Sequence, residues 1–191
     1  MTWARPADWG DSIHDVQNAA GNPLFKVAEL SWTKPVVWNK GDRKPAFDDT
    51  EPFVYALVRN NGNFREKDHI EYIGLTTSPK TRFGGHGTAL EIVAQRGEVK
   101  FSYAKVDFIK GKNRIERISM ALEEIEHLLI WSVFDHLWNE KKMYTLPGLG
   151  KNGAHAWHII NSGYRFSGRM PREIVYPWTL VRRGNRRIMN T

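Results

Sequence analysis

The sequence predicts an α+β domain: a small three-stranded antiparallel sheet flanked by helices, with extensions at both ends of the chain. Three apolar segments that are rich in β-branched and aromatic residues, at 53–59, 69–75 and 99–109, have the composition of strands. The segment 114–138 instead repeats its apolar residues every three or four positions, which is the period of a buried helix face. Strands and helices therefore both contribute to the predicted core.

The composition is that of a folded protein with a polyanionic partner. The chain has 191 residues, of which 41% are hydrophobic, and its formal net charge is +7. This basic balance favours nucleic acid first and an acidic membrane surface second. No apolar run is long enough to span a bilayer, and of the two candidates nucleic acid is the predicted partner, with no membrane. The absence of cysteine excludes disulfides and thiolate zinc sites, and it fits a cytoplasmic protein.

The chain divides into three parts. An N-terminal extension, 1–50, is rich in Trp, Pro and Gly, and we expect it to pack against the core. Its segment 31–38 is predicted to be a short edge strand, because Pro35 has no amide hydrogen to donate to a ladder. The core covers 51–152, and a β-rich C-terminal extension with a basic tail covers 153–191.

The core begins with a β-hairpin. Asparagine and glycine at 60–63 end its first strand with turn-forming residues, so the connection to the second strand at 69–75 is an enlarged, charged tip. Ser78 followed by Pro79 then indicates the start of a short helix that continues through Arg82.

The remaining elements are predicted from periodicity and from helix-ending residues. An amphipathic segment, 88–96, ends before Gly97 and precedes the third strand and the long helix. A loop with proline and glycine occupies 147–150, and short β segments are expected around 156–160 and 174–181. The C-terminal extension is therefore predicted to be mostly β.

One carboxylate interrupts the apolar face of the long helix. Glu126 lies four residues after Leu122 and three before Leu129, which places it among the buried residues, whereas Glu124 points away. Burying an unpaired carboxylate is costly, so Glu126 must be protonated, paired with a cation or bound to a metal. A structural ion pair with an arginine from the sheet and a metal site both remain open.

Five residues of the core stand in a particular order. They are Tyr55 in Phe-Val-Tyr, Tyr72 in Tyr-Ile-Gly, Arg82, His86, and Glu126 in Glu-His-Leu-Leu-Ile. This ordered set resembles the GIY-YIG nuclease family over residues 51–152, with elements in the family order of hairpin, helix, strand and helix. Two features depart from the family: Phe53 replaces the glycine of the first motif, and the hairpin tip is longer than usual.

The resemblance implies a phosphodiester hydrolase that uses one divalent metal ion, Mg²⁺ or Mn²⁺. Glu126 would hold the metal, and Arg82 would donate hydrogen bonds to the scissile phosphate. Tyr55 is the candidate general base, or it orients the attacking water, while Tyr72 would orient water or phosphate. His86 would accept a proton from Tyr55 or contact the phosphate.

The resemblance also implies an asparagine after the long helix. Asn139 and Asn152 both follow that helix, and Asn152 is preferred because Asn139 is expected to end it. Lys80 and Lys67 are each candidates for a contact with the phosphate. The residues expected to bind DNA are Lys80, Arg182, Arg183, Arg186 and Arg187.

The function implied is that of a metal-dependent endonuclease acting on double-stranded DNA. Extensions flank the core and no Cys/His finger follows it, so the chain looks most like the GIY-YIG type II restriction endonucleases. Those enzymes act as dimers or pairs, and a homodimer is expected here. A phage-encoded or other defence-related DNase in a bacterial cytoplasm is equally open. The alternatives are a non-catalytic nucleic-acid-binding module on the same fold and an RNase.

Overall fold

The computed structural model describes residues 13, 16–17, 20–60, 67–108, 115–134, 136–148, 155–177 and 180–182. In chain order, the elements within them are β1 (Lys26–Trp32), β2 (Val36–Val37), β3 (Phe53–Asn60), β4 (His69–Thr76), α1 (Pro79–Arg82), α2 (Gly87–Ala94), β5 (Glu98–Phe108), α3 (Ile115–Val133), β6 (Trp157–Gly163), β7 (Glu173–Tyr176) and β8 (Leu180–Arg182). No helix in this part of the chain is both long and apolar enough to cross a membrane.

The strands form one mixed sheet, and the predicted small three-stranded sheet flanked by helices is therefore wrong. The strand order is β4-β3-β5-β1-β6-β7-β8, and β2 pairs with β5. β1 is parallel to β6, whereas the other neighbouring pairs are antiparallel. The sheet curls into a half-barrel, which makes the described fold mostly β.

Strand β1 is the physical reason for this difference. It lies between β5 and β6, so the two extensions of the chain contribute strands to the same sheet as the core. Ala28, Leu30 and Trp32 are buried and alternate with exposed residues, which is the period of a strand with one solvated face. The segment predicted as a short edge strand, 31–38, contains the end of β1 and the two-residue strand β2, which pairs with β5 outside the main strand order.

The three predicted strands are β3, β4 and β5, and they lie side by side with β3 in the middle. β3 separates two apolar clusters. Val54, Ala56 and Val58 belong to the cluster that contains α3, and Phe53, Tyr55 and Leu57 belong to the one that contains α2. The two helices therefore pack on opposite faces of these strands. The predicted hairpin tip lies largely outside the described residues.

Helix α3 ends at Val133, earlier than the predicted end at Trp138. The chain leaves the helix to bind the backbone of β4. The Trp138 amide donates to the Glu71 carbonyl at 2.6 Å, and the Asn139 side chain bonds the amide and carbonyl of Ile73 at 3.1 and 2.8 Å. Because β4 is the first strand in the sheet order, these contacts satisfy backbone groups at the sheet edge.

A buried ion pair joins β3, β4 and α2. Arg59 Nε lies 2.6 Å from Glu71 Oε1, and the two side chains are only 2% and 8% exposed. The same guanidinium donates to the carbonyls of Ile92, at 2.8 Å, and Arg96, at 2.7 Å. Arg59 thereby provides donors for one carbonyl in the last turn of α2 and for one just beyond the helix, where few backbone amides remain to serve as donors.

We expect Arg59→Met to lower the free energy of unfolding by roughly 3–5 kcal/mol, because the Glu71 carboxylate would stay buried without its cation. Urea unfolding followed by circular dichroism measures the change. Lys105→Met is the control, since Lys105 pairs with Asp49 and Glu51 while remaining 53% exposed. Its unfolding midpoint should stay close to that of the wild type. Equal losses in the two variants would contradict a special role for the buried pair.

Candidate active site

The Tyr-Ile-Gly sequence ends in glycine because two tyrosine rings occupy the space beside it. Tyr55 of β3 lies opposite Gly74 of β4 in the antiparallel register. A methyl group added at Gly74 would lie 2.6 Å from Cζ and Oη of Tyr55 and 2.8 Å from Cε1 of Tyr72. Residues two positions apart on a strand share a face, so both tyrosines and the glycine lie on the same side of the sheet. The close approach of the two rings to the strand backbone therefore requires a residue without a side chain.

His86 connects the tyrosines to α2. It is the N-cap residue of that helix, where its Nδ1 accepts a hydrogen bond from the Ala89 amide at 3.3 Å. A ring nitrogen that accepts carries no proton, so the proton of the neutral imidazole is on Nε2. Nε2 lies 2.6 Å from the Tyr55 hydroxyl oxygen and donates to it.

Burial keeps these three groups uncharged at neutral pH. It lowers the pKa of His86 to about 4, with a further contribution from the Arg82 cation. It also raises the pKa of Tyr55 and of Tyr72, and the Glu126 carboxylate adds to the rise at Tyr72. Because Nε2 of His86 already carries a proton, His86 is not placed to accept one from Tyr55.

Arg82 lies at the solvent side of this group. It is the last residue of α1, and its Nη2 is 3.5 Å from Nε2 of His86. Partial burial lowers the pKa of Arg82, but Tyr55, Tyr72 and Glu126 together raise it above its usual value. The residue as a whole is exposed, so its guanidinium is accessible to a ligand.

Glu126 brings a carboxylate to the same place from α3. Its side chain is 12% exposed, and its Oε2 lies 2.6 Å from Nζ of Lys142. Both residues line a cleft of about 370 Å³, together with Arg82 and Glu123. The cation that neutralises Glu126 is therefore a lysine that follows the helix, and not the arginine from the sheet that a structural ion pair was expected to use.

The cleft lies at the β4 edge of the sheet, where side chains from both faces of the sheet come close together. Tyr55 and Tyr72 pack with the apolar cluster on the α2 face, whereas α3 packs on the opposite face. β4 is at the end of the strand order, so a side chain of α3 can approach Tyr72 around this edge. Glu126 is close enough to influence the pKa of both Tyr72 and Arg82. Two strands, the α1–α2 connection and α3 thus contribute to one site.

The structure brings together five of the six residues predicted to be catalytic. They are Tyr55, Tyr72, Arg82, His86 and Glu126. The sixth, Asn152, lies outside the described residues. Asn139, the other asparagine considered, uses both its amide oxygen and its amide nitrogen to bind the backbone of Ile73. Asn139 therefore serves the sheet edge and does not face the cleft.

The residues predicted to bind DNA are only partly described. Lys80 is exposed on α1, next to Thr81, which lines the cleft. Lys67 is exposed just before β4, at the opposite end of that strand from the cleft. Arg182 belongs to β8. Arg183, Arg186 and Arg187 lie outside the described residues.

Lys142 was not predicted from the sequence. It lies in an irregular segment, 16 residues after Glu126, and no periodicity marks it. The usable signal was indirect, because a carboxylate predicted to be buried requires a cation or a metal as its partner.

Glu124 was expected to point away from the apolar face, but it links α3 to β6. Its Oε2 accepts hydrogen bonds from Trp157 Nε1 at 2.5 Å and from the His155 amide at 3.0 Å. The start of β6 is brought to α3 by the larger sheet, which was not part of the predicted fold. The residue is therefore an anchor between the helix and the C-terminal strands.

Comparisons with protein-family models, with curated proteins and with solved structures find no match for this chain. The site is therefore interpreted from its own geometry. Within the described residues, no group of three or more His, Asp or Glu side chains is arranged to hold a metal ion. The carboxylates that line the cleft are those of Glu123 and Glu126.

We expect Gly74→Ala to lower the free energy of unfolding by roughly 1–3 kcal/mol, because its methyl group fits only if the rings of Tyr55 and Tyr72 move. Urea unfolding measures the loss. Gly84→Ala is the matched control, since a methyl group there meets no atom within 4 Å. An equal loss in both variants would show that the tyrosine packing is not what requires glycine.

Stability should also fall with pH below about 6.5, because the pKa of His86 is lower in the folded chain, at about 4, than in the unfolded chain. The unfolded chain binds the proton first, so the stabilisation present above pH 6.5 is lost progressively toward pH 4. His86→Asn keeps an N-cap acceptor without an ionisable ring, and its free energy of unfolding should depend less on pH. Urea unfolding of both proteins across this range is the measurement. Identical pH dependence in the wild type and in His86→Asn would contradict the lowered pKa of His86.

Proposed function

We propose that this chain is a metal-dependent endonuclease that hydrolyses phosphodiester bonds in double-stranded DNA. The observation that carries the proposal is that Arg82 and Glu126 line one cleft from separate helices, with Tyr72 and the buried Tyr55 close enough behind it to raise the pKa of Arg82. These residues occur in the order of the GIY-YIG nuclease motifs. The net charge of +7 supports a polyanionic substrate.

The side chains of the cleft suit a hard divalent cation. Glu126 and Glu123 line it together with Thr76 and Ser78, so its donors are oxygen atoms, which Mg²⁺ and Mn²⁺ prefer. Mg²⁺ is commonly held by one or two carboxylates, with phosphate and water completing its ligands. Glu126 would hold the ion, with Glu123 as a second carboxylate. When bound, such an ion neutralises charge on a phosphate and lowers the pKa of a water molecule.

Two cations of the cleft are placed to bind a phosphate. Arg82 is exposed, and a guanidinium donates paired hydrogen bonds to phosphate oxygens. Lys142 is 32% exposed, and its ammonium group neutralises Glu126 in the free protein. If a divalent ion neutralised Glu126, Lys142 would be free to turn toward the phosphate. Both cations would then stabilise the negative charge that develops on the phosphoryl oxygens.

Tyr72 is the tyrosine that we assign to direct contact with water or phosphate. It is partly exposed, whereas Tyr55 is fully buried. A hydrogen bond with Tyr55 offsets part of the rise in the pKa of Tyr72. Tyr55 is itself held by the proton of His86 Nε2. Tyr55 and His86 therefore position Tyr72 in this proposal, in place of the general-base and proton-accepting roles that the resemblance implies for them.

A non-catalytic nucleic-acid-binding module is the second candidate. It is favoured by the ion pair between Glu126 and Lys142, since a carboxylate that is neutralised by a lysine has no need of a metal. An RNase would use the same phosphate-binding cations, because DNA and RNA share this group. We further propose a cytoplasmic enzyme of bacterial or phage origin that acts as a homodimer in restriction or a related role.

Cleavage of supercoiled plasmid in the presence of Mg²⁺ or Mn²⁺ tests the proposal. The wild type should nick or linearise the plasmid, and EDTA should stop the reaction. Glu126→Gln and Arg82→Ala should each lower the rate by about a hundredfold or more, because each removes a charge that stabilises the transition state. Glu91→Gln applies the same change to an exposed glutamate of α2 and should leave the rate unchanged.

The alternatives give different results in the same assay. Duplex binding without cleavage in either metal would favour the binding module. Cleavage of RNA alone would favour an RNase. Full activity in Glu126→Gln would overturn the assignment of this cleft as the active site.

A further inference from the structure

A segment beside the cleft displays an exposed aromatic side chain. Residues 138–147, here called the strap, follow α3 and begin with the contacts to β4. Tyr144 in the strap is 83% exposed, and Trp138 is 40% exposed. Lys141 is also exposed, and Lys142 lines the cleft. Two exposed aromatic side chains therefore flank a pair of lysines and the exposed Glu140 in a short segment at the rim of the candidate active site.

The strap is anchored on both sides of Tyr144. Two residues earlier, Lys142 Nζ binds Glu126 at 2.6 Å. One residue later, the carbonyl oxygen of Thr145 lies 2.8 Å from His127 Nε2, which donates to it. The strap residues that also pack against the apolar core are Met143 and Leu146.

These anchors fix the position of Tyr144. At most about 7 Å of backbone separates it from Lys142, which is itself part of the cleft. The hydroxyl of Tyr176 donates to the carbonyl of Pro147, which holds the far end of the strap to β7. The phenol ring is thus presented to solvent from a backbone that is held on either side. Because the backbone is already held, binding a flat ligand would cost mainly the rotamer freedom of the Tyr144 side chain.

We propose that Tyr144 stacks on a nucleobase of the substrate strand next to the scissile phosphate. Every base has an aromatic face, so stacking on tyrosine does not depend on sequence, while the neighbouring lysines would bind the flanking phosphates. A base is accessible to such a ring only when it has left the stack of the duplex. The preferred substrate is therefore DNA with an unpaired or displaced base beside the cut. This inference rests on the proposed function, because it requires a nucleic acid in the cleft.

Photocrosslinking tests the stacking directly. Duplexes that carry 5-iododeoxyuridine at successive positions, with and without an unpaired base, are bound in Ca²⁺ and irradiated, and the adduct is mapped by mass spectrometry. The adduct should form on Tyr144 and be strongest with the unpaired base. Tyr144→Ala should lose it and bind this DNA on the order of tenfold more weakly, whereas Tyr144→Phe should keep both properties.

Val37→Ala is the control, because Val37 is an exposed apolar side chain of β2, 43% exposed, and lies outside the cleft. It should bind DNA as the wild type does. If the wild type binds and cuts DNA but Tyr144→Ala binds equally well, the stacking role is wrong and the proposed function stands. If the wild type binds no DNA, the stacking role and the proposed function are both wrong.

Discussion

The binding of residues 138 and 139 to the backbone of β4 determines where the rest of the site lies. It ends α3 at Val133 and turns the chain back along the outer strand of the sheet. Lys142 then reaches Glu126, and the strap crosses the helix beside the cleft. The contact thus adds Lys142 to a site in which α3 already brings Glu126 close to Tyr72 at the edge of the sheet. An exposed sheet edge can pair with a strand of another chain, whereas here residues 138 and 139 occupy backbone groups of β4 and lead the chain to the candidate site.

The charges of the site are arranged in two zones. The inner zone contains Tyr55, Tyr72 and His86, whose pKa values are displaced by burial toward the uncharged form. The outer zone contains Arg82 together with the ion pair of Glu126 and Lys142. Each outer charge has a counter-charge within the cleft or access to water, so none is buried alone. A ligand that carries both charge and hydrogen-bond acceptors, as a phosphodiester does, would contact both zones.

Much of the site could be predicted from the sequence, because its signals are local. The spacing of Glu126 along the helix predicted a charge on a largely buried face, and the two tyrosine motifs predicted strands that lie together. The extent of the sheet was not predicted, because the pairing of β1 with β5 and β6 joins distant parts of the chain. Lys142 and the end of α3 were missed for a related reason. Both depend on tertiary contacts with β4 and Glu126, which override helix propensity and leave no periodic pattern.

Long-range pairing also has a consequence for how the chain reaches its folded state. Trp32 Nε1 donates to Asn161 Oδ1 across 129 positions of sequence, beside the parallel pairing of β1 with β6. Contacts between residues so far apart in sequence form slowly, because a long loop must close before they add stability. The residues of the candidate site, from Tyr55 to Lys142, lie inside that loop. A chain still emerging from the ribosome would therefore carry every one of these side chains before it has the complete sheet that holds them in place.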